Sequence, residues 1–443
     1  MRFSGLGLLV IDRVGNHDRF QQVSSGTGGR LLLRSASMFV PVVPMGLYCA
    51  RPPQEEMPLN KRWFLATAFG VLVSFVVCTP AASAQTEQGH LRSTYRVTEV
   101  GALSASGSIG VAMNDLGHVA GFAEVAGKGL RAFLWNGERT VDLGAGSAFG
   151  LNNRDAVVGF GIGGAFYWSE GRLIDLMGPD IRLSVAYGVN DADEVAGYSQ
   201  SGSVGSLQPP DVPVVWERGT VRVLPSPTNS GGIAFGISGS GEIVGWVNDP
   251  FSGATDAASW DHERFQDLGI ISGQSPTFSE AMALNNHGQI VGISRDADGH
   301  LHCFLWYSGT VQTLDLLDGD TDCEPLAIND SGDVVGFGNS TSGMRPMLWH
   351  NGVPFDLTAF VPATLRAAYG DPFAQAINNR GQILIDMGGK FFGKTIILTP
   401  TPNNRETEGN GIEPRIKARE LSEVNPVAKN SVGERVNARL PTP

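Results

Sequence analysis

The chain has 443 residues, 42% hydrophobic and 17% charged, with 44 acidic against 32 basic side chains and a formal net charge of -12. That apolar content is enough for a large core and excludes wholesale disorder. The acidic balance excludes nucleic acid as a partner, and also an anionic membrane surface held by charge alone, although divalent cations could bridge to one.

Residues 1–56 show no periodicity and read as an upstream extension from a mis-called start, with Met57 as the initiator. The stretch MPLNKRWFLATAFGVLVSFVVCTPAASAQ opens with Lys61 and Arg62, continues through an apolar run, and reaches Ala82-Ser83-Ala84 before Gln85. That is the layout of a secretory signal peptide over 57–84. An uncleaved anchor is the second reading. About 17 apolar residues are marginal for a hydrocarbon core of ~30 Å, so no stable transmembrane insertion is expected after cleavage. Val77, before Cys78, is not the small residue a lipid-attachment site wants. The expected location is secreted, periplasmic or cell-surface. The remaining chain holds about 24 basic and about 40 acidic residues, a net of about -16, and its residues 85–94 read as a short linker.

From Tyr95 to Pro400 a degenerate unit recurs. Its copies include AMNDLGHVAGFA at Ala112, GVNDADEVAGYS at Gly188 and ALNNHGQIVGIS at Ala283. The anchors Asn114, Asn152, Asn190, Ser238, Asn285, Asn329 and Asn378 are spaced by roughly 38 to 49 residues, a period that signals stacked or radially arranged units. Short alternating runs bounded by Gly and Asn are strand chemistry. Each unit offers four runs: one ending at the anchor, one on the GQIVG-like stretch, one on the FLW-like stretch and one on the DLG-like stretch. Asn and Gly after the first run, and Gly after the Trp of the third, tolerate the positive φ of a tight hairpin.

Four short antiparallel strands cannot bury both faces alone, so the units must stack, and a closed ring removes the open ends. The last unit lacks its DLG-like run, whereas YRVTEVG from Tyr95 precedes the first unit and is similar to RTVDLG from Arg139. The expected fold is all-β: a seven-bladed β-propeller of four-stranded antiparallel blades over 95–400, its last blade completed by the N-terminal strand. The column Trp135, Trp168, Trp216, Trp260, Trp306 and Trp349 is expected to be core, because it repeats once per unit. The same holds for Phe122, Phe160, Tyr198, Trp246 and Phe337.

The unit as a whole, an Asn anchor, a Gly-x-Val-Val-Gly-like strand, His302-Cys303-Phe304 before Leu305-Trp306, and an Asp-Leu-Gly ending, resembles the HAF repeat family of bacterial extracellular repeat proteins. The resemblance spans the whole ring. The eponymous His is replaced in Arg131-Ala132-Phe133 and Gly164-Ala165-Phe166, so it carries no general role. Membership would imply an exported propeller and no particular chemistry.

Cys303 and Cys323 are the two cysteines left after cleavage, bound for an oxidising compartment; a disulfide and a pair of buried free thiols both fit. Asp318, Asp320, Asp322 and Glu324 alternate as oxygen ligands to Ca²⁺ could, without EF-hand spacing. His300 and His302 would share one face of a strand, as zinc ligands can, with no third ligand evident. Apart from Ca²⁺ no cofactor is expected. No nucleophile elbow, HExxH helix, P-loop or dinucleotide fingerprint occurs in the ring, so no catalytic or ligand-binding residue is assigned. After Pro400 the periodicity ends, and 401–443 reads as a disordered polar tail.

Antiparallel order sends the short, uniform turns to one face. The variable connections Ser199–Pro213, Asn248–Ala257, Gly269–Ser279, Arg295–Leu301, Leu317–Glu324 and Ala359–Ala374 go to the other, where binding residues would concentrate. The sequence favours an exported non-catalytic binding or scaffold module, facing a protein or glycan of the cell envelope or surroundings. The alternative is a propeller enzyme acting on an extracellular polysaccharide, a lyase or hydrolase. It would need ionisable residues that break the repeat inside the channel, for which Asp386 and Lys390 are candidates. An adhesive, purely structural role is a third reading.

Overall fold

The structure, a computed structural model, describes residues 94–401 apart from 105–106, 177–180, 202–210, 228–230, 250–253, 263, 269–277, 297–299 and 389–392. It also describes a hairpin of Leu8–Val14 and His17–Val23 within the N-terminal extension. The signal peptide, Lys390 and the tail beyond Thr401 lie outside the described residues.

The fold is all-β, and its sheets are mostly four-stranded and antiparallel in simple sequence order. Strands Phe278–Leu284, Gln289–Arg295, Leu301–Tyr307 and Thr310–Thr313 make one such sheet. One sheet has seven strands, because Thr140–Leu151 runs unbroken as the outer strand of the first unit and the inner strand of the second. In the last unit Lys394–Thr401 pairs with Thr94–Glu99, in register from Ile396 opposite Glu99 to Thr401 opposite Thr94. Thr401, assigned by sequence to the tail, ends that strand.

The turns follow from their residues. Glu170-Gly171, Arg218-Gly219, Ser308-Gly309 and Asn351-Gly352 all have positive φ at both positions, the requirement of the tight hairpin turn between third and fourth strands. After the anchor, the Asn side chain closes its own turn: Asn285 Oδ1 accepts the backbone N–H of His287 and of Gln289, both at 3.0 Å. The same pair of bonds recurs at Asn114, Asn152, Asn190, Asn329 and Asn378.

The core lies between neighbouring units rather than within one. Val291, Ile293 and Leu314 of the fifth unit pack against Ile328, Val334, Met347 and Trp349 of the sixth. Met113, Val119, Phe133 and Trp135 of the first pack against Ala376, Leu384 and Ile397 of the last. Trp135, Trp216, Trp260, Trp306 and Trp349 are buried, each contributing a few kcal/mol at ~25 cal/mol per Å². Trp260 and Trp349 also donate their indole N–H to Pro225 O and Asp315 O of the preceding unit, at 2.7 and 2.8 Å. Cys303 and Cys323 are bonded, Cα to Cα 5.9 Å, tying the third strand of the fifth unit to the first strand of the sixth. Cys323 therefore stands on a strand, Asp320–Ile328, and not in the connection where the sequence placed it.

Candidate functional site

Every first strand carries a one-residue register shift against its second strand. The residue skipped at the shift common to all seven units is Val111, Phe149, Tyr187, Phe235, Met282, Leu326 or Gln375; Ile181–Val189 and Asp320–Ile328 carry a second shift, at Arg182 and Thr321. A bulge leaves its extra residue unpaired and re-aims its side chain. It also presses a carbonyl toward the facing strand. A Cβ on Gly121, Gly159, Gly197, Gly245, Gly292 or Gly336 would lie 1.9 to 2.1 Å from the backbone oxygen of Ile109, Ser147, Val185, Ile233, Glu280 or Glu324. The glycine of the GxVVG-like stretch is thus required by the bulge, and the bulge sets the side chain at the inner edge of the sheet.

The first strands stand beside one another from unit to unit, and Pro372–Ile377 stands beside Ile109–Met113. Their bulge residues meet: ring centroids are 5.5 Å apart for Phe149 and Tyr187, and 5.3 Å for Tyr187 and Phe235. Around this arc the inner strands are apolar at the position two residues before the bulge, or carry Ser147, until the fifth and sixth units. There the position holds Glu280 and Glu324. Neither carboxyl makes a hydrogen bond or ion pair among the described residues. Glu324 is 8% exposed. Burial pushes Glu280 up to about 7, while burial, then Glu280 and Asp322, push Glu324 up to about 8. Tyr187 is raised well above its ordinary value, by burial first and then by nearby charge that includes Glu280.

The opposite end of the inner strands is different. Each anchor amide reaches the next unit: Asn114 Nδ2 donates to Asn152 O, Asn152 to Asn190 O, Asn190 to Ser238 O, Asn285 to Asn329 O, Asn329 to Asn378 O, and Asn378 to Asn114 O, at 2.9 to 3.3 Å. The next residue repeats the scheme. Backbone N–H groups of Asp115, Asn153, Gly239, Asn286, Asp330 and Asn379 donate to Asn153, Asp191, Asn286, Asp330, Asn379 and Asp115 side chains at 2.8 to 2.9 Å. The fourth unit departs from this pattern. Ser238 keeps its hydroxyl in its own turn, against Ser240 and Glu242, and Gly239 has no side chain to offer Asp191. The signal for this ladder was in the sequence as a second Asn or Asp after each anchor, broken at Ser238-Gly239, but turn chemistry accounted for it equally well.

The other sequence candidates are placed as follows. Asp318, Asp320, Asp322 and Glu324 do not converge. Asp320 accepts Arg345 Nε at 2.9 Å, the Arg345 guanidinium also bonds Asp318 O, Asp322 accepts the Asn339 amide, and Glu324 is buried apart from them. The sequence placed these carboxylates in a loop; the pairing of Asp320 with Arg345 instead lets the strand begin at Asp320. His302 Nε2 lies 2.8 Å from Asp296 Oδ2, and His300 Nδ1 lies 3.6 Å from the same oxygen. The hydrogen bond with His302, the largest cause, lowers Asp296 to about 2. Among the described residues no group of three or more His, Cys, Asp or Glu side chains could hold a metal ion. Asp386 does not line the inner space. It is fully buried where the last unit meets the first, accepting Thr395 Oγ1 at 2.7 Å, while Thr395 accepts Gly110 N at 3.0 Å. Asp386 occupies the position of Phe337 and Tyr198, where alternation along Ile383–Met387 turns the side chain into the packed interface. Burial pushes it up to about 7.

No helix among the described residues is long and apolar enough to cross a membrane. No family model matches the chain, and no curated protein does. Among solved structures it is similar to oligogalacturonate lyase from Vibrio parahaemolyticus, at 10% identity over 69% of this chain and 97% of that one, with a TM-score of 0.46. The β-propeller domain of the Trilobed protease from Pyrococcus furiosus is 11% identical over 54% of this chain and 78% of that one, with a TM-score of 0.41. The β-propeller domain of Cps50 (Swd1) from Myceliophteria thermophila is 12% identical over 69% of this chain and all (100%) of that one, also with a TM-score of 0.41.

Proposed function

We propose that the seven units form a seven-bladed β-propeller closed by Thr94–Glu99 as the outer strand of the last blade. On this reading the chain, exported by its segment 57–84, is a non-catalytic binding or scaffold module. It presents one face to a protein or glycan of the cell envelope or surroundings. The bond from Asn378 to Asn114 and the apolar cluster shared by the last and first units support closure. The resemblance to HAF repeats supports the extracellular assignment.

The observation that carries the binding face is the unlikeness of the two ends. One end is committed to the Asn and Asp ladder. The other carries connections of unequal length, among them the one from Leu357 to Asp371, which holds a short 3-10 turn at Thr358–Phe360 and the helix Ala363–Tyr369. The test is binding of the full chain to an array of envelope glycans and extracellular polysaccharides, repeated after replacing Ala363–Tyr369 by a short Gly-Ser turn. Binding lost at unchanged melting temperature is the expected result; binding that survives every such replacement places the ligand elsewhere.

A second reading, an enzyme acting on an extracellular polysaccharide, draws on Glu280 and Glu324, two carboxyls that break the repeat with raised pKa values. It requires product formation from one polysaccharide that disappears in the variant Glu280→Gln/Glu324→Gln.

A further inference from the structure

We infer that the inner wall of the repeat array is a binding site for an organic cation, an alkylammonium or quaternary ammonium group. The cation would be held between the aromatic arc Phe149, Tyr187 and Phe235 and the carboxyls of Glu280 and Glu324. Two separate observations meet here. The first is the arc itself. Its three rings sit on bulge residues of consecutive units, with centroids 5.5 and 5.3 Å apart. The second is the state of the polar groups opposite. Glu324 is more than nine-tenths buried and makes no hydrogen bond or ion pair among the described residues. Glu280 is likewise unpaired, and so are the Tyr187 hydroxyl and the Gln375 amide among the described residues.

Buried polar groups are ordinarily satisfied, and two neighbouring carboxyls without a cation are costly. Two other buried carboxyls each hold one partner on Oδ1, Arg345 for Asp320 and Thr395 for Asp386, although the second oxygen of each has none. Among the described residues no cationic side chain pairs with either carboxyl of the inner wall. The side chains two residues before the bulge in the other units, Ile109, Val185, Ile233 and Phe373 among them, supply none.

Aromatic faces together with carboxylates recognise organic ammonium by cation–π attraction and charge. A hard divalent ion would need six or more oxygen ligands. Here the protein offers two carboxyls, a phenol and an amide beside apolar Val111, Met282 and Leu326. That composition favours a cation with a greasy shell over a bare metal.

The experiment is isothermal titration of the full chain with butylammonium chloride and with tetramethylammonium chloride, using CaCl2 and NaCl as comparators at matched ionic strength. Saturable binding of at least one ammonium ion is expected. It should weaken tenfold or more in Glu280→Gln/Glu324→Gln, and several-fold in Phe235→Leu, which keeps both carboxyls. The Phe235→Leu arm reads the aromatic contribution even if the double variant does not fold. Absence of ammonium binding, equal binding by the variants, or binding of Ca²⁺ alone would each overturn the inference. The glycan array, read on the same variants, tests the loop face separately, so failure here leaves that reading standing.

Discussion

Asparagine at the anchor does two jobs that no other residue type does together. Its Oδ1 accepts two backbone N–H groups of its own turn, and its Nδ2 donates to a carbonyl of the next unit. Asn378 is 4% exposed, so removing its amide takes one of two donors from Asn114 O, which keeps the Gly117 N–H, and leaves two part-buried turn N–H groups without their acceptor. At 1 to 3 kcal/mol for an unsatisfied buried group, Asn378→Ala is expected to cost about 3 kcal/mol. The converse holds at the one anchor that is serine. Ser238→Asn supplies the missing donor toward Asn285 O and is expected to stabilise by about 1 kcal/mol. Urea unfolding of both variants checks this pair. Equal and small effects of the two substitutions would mean that the ladder is incidental to stability.

At the scale of the strand, the bulge and the glycine opposite it form one device. Gly245→Ala places a methyl group 1.9 Å from Ile233 O, a contact with backbone that no rotamer relieves. The expected cost is about 3 kcal/mol or more, at the upper end for overpacking, with the bulge residue Phe235 displaced from its neighbour Tyr187. Gly137→Ala is the control: its Cβ meets nothing within 4 Å, and only its φ of 92° opposes the change. Thermal melting and near-ultraviolet circular dichroism of both variants would show whether the aromatic arc moves with Gly245 alone.

The repeat was legible because its glycines, tryptophans and turn asparagines are local demands. Each strand needs its own turn, and each sheet its own buried ring. The bulge was not legible. An extra residue in a strand changes no composition, and Tyr187 and Glu280 lie in different units, brought together only by the arrangement of inner strands. The sequence picked Asp386 as the ionisable residue out of pattern, and it is out of pattern, but in the interface between units. Glu280 escaped notice, and Glu324 reads in the sequence as a calcium ligand, because the residue two before the bulge follows no repeat.

Among the described residues three carboxyls, Glu280, Glu324 and Asp386, are raised to about 7, 8 and 7, against 4.5, 4.5 and 3.8 for the free groups. Burial is the first cause in all three. Glu324 is further raised by Glu280 and Asp322, and Asp386 is partly relieved by Thr395 and the Gly110 amide. In the unfolded chain these groups ionise near pH 4 to 5. Below that both states are protonated, and the contribution to stability is fully present. As the pH rises the unfolded state releases its protons first, so stability falls, and the contribution is lost once the pH passes through 7 to 8. Asp296, lowered to about 2, acts in the opposite sense at the acid end, its contribution being lost as the pH falls from 3.8 toward 2. The chain is therefore expected to melt several degrees higher at pH 5 than at pH 8.5 at fixed ionic strength, and Glu280→Gln/Glu324→Gln/Asp386→Asn to remove most of that difference. A slope retained in the triple variant would assign the pH dependence to other groups. A slope absent from the parent would mean that water reaches the inner wall and Asp386 freely enough to let all three ionise at ordinary pH, which would also weaken the case for a dry, cation-selective interior.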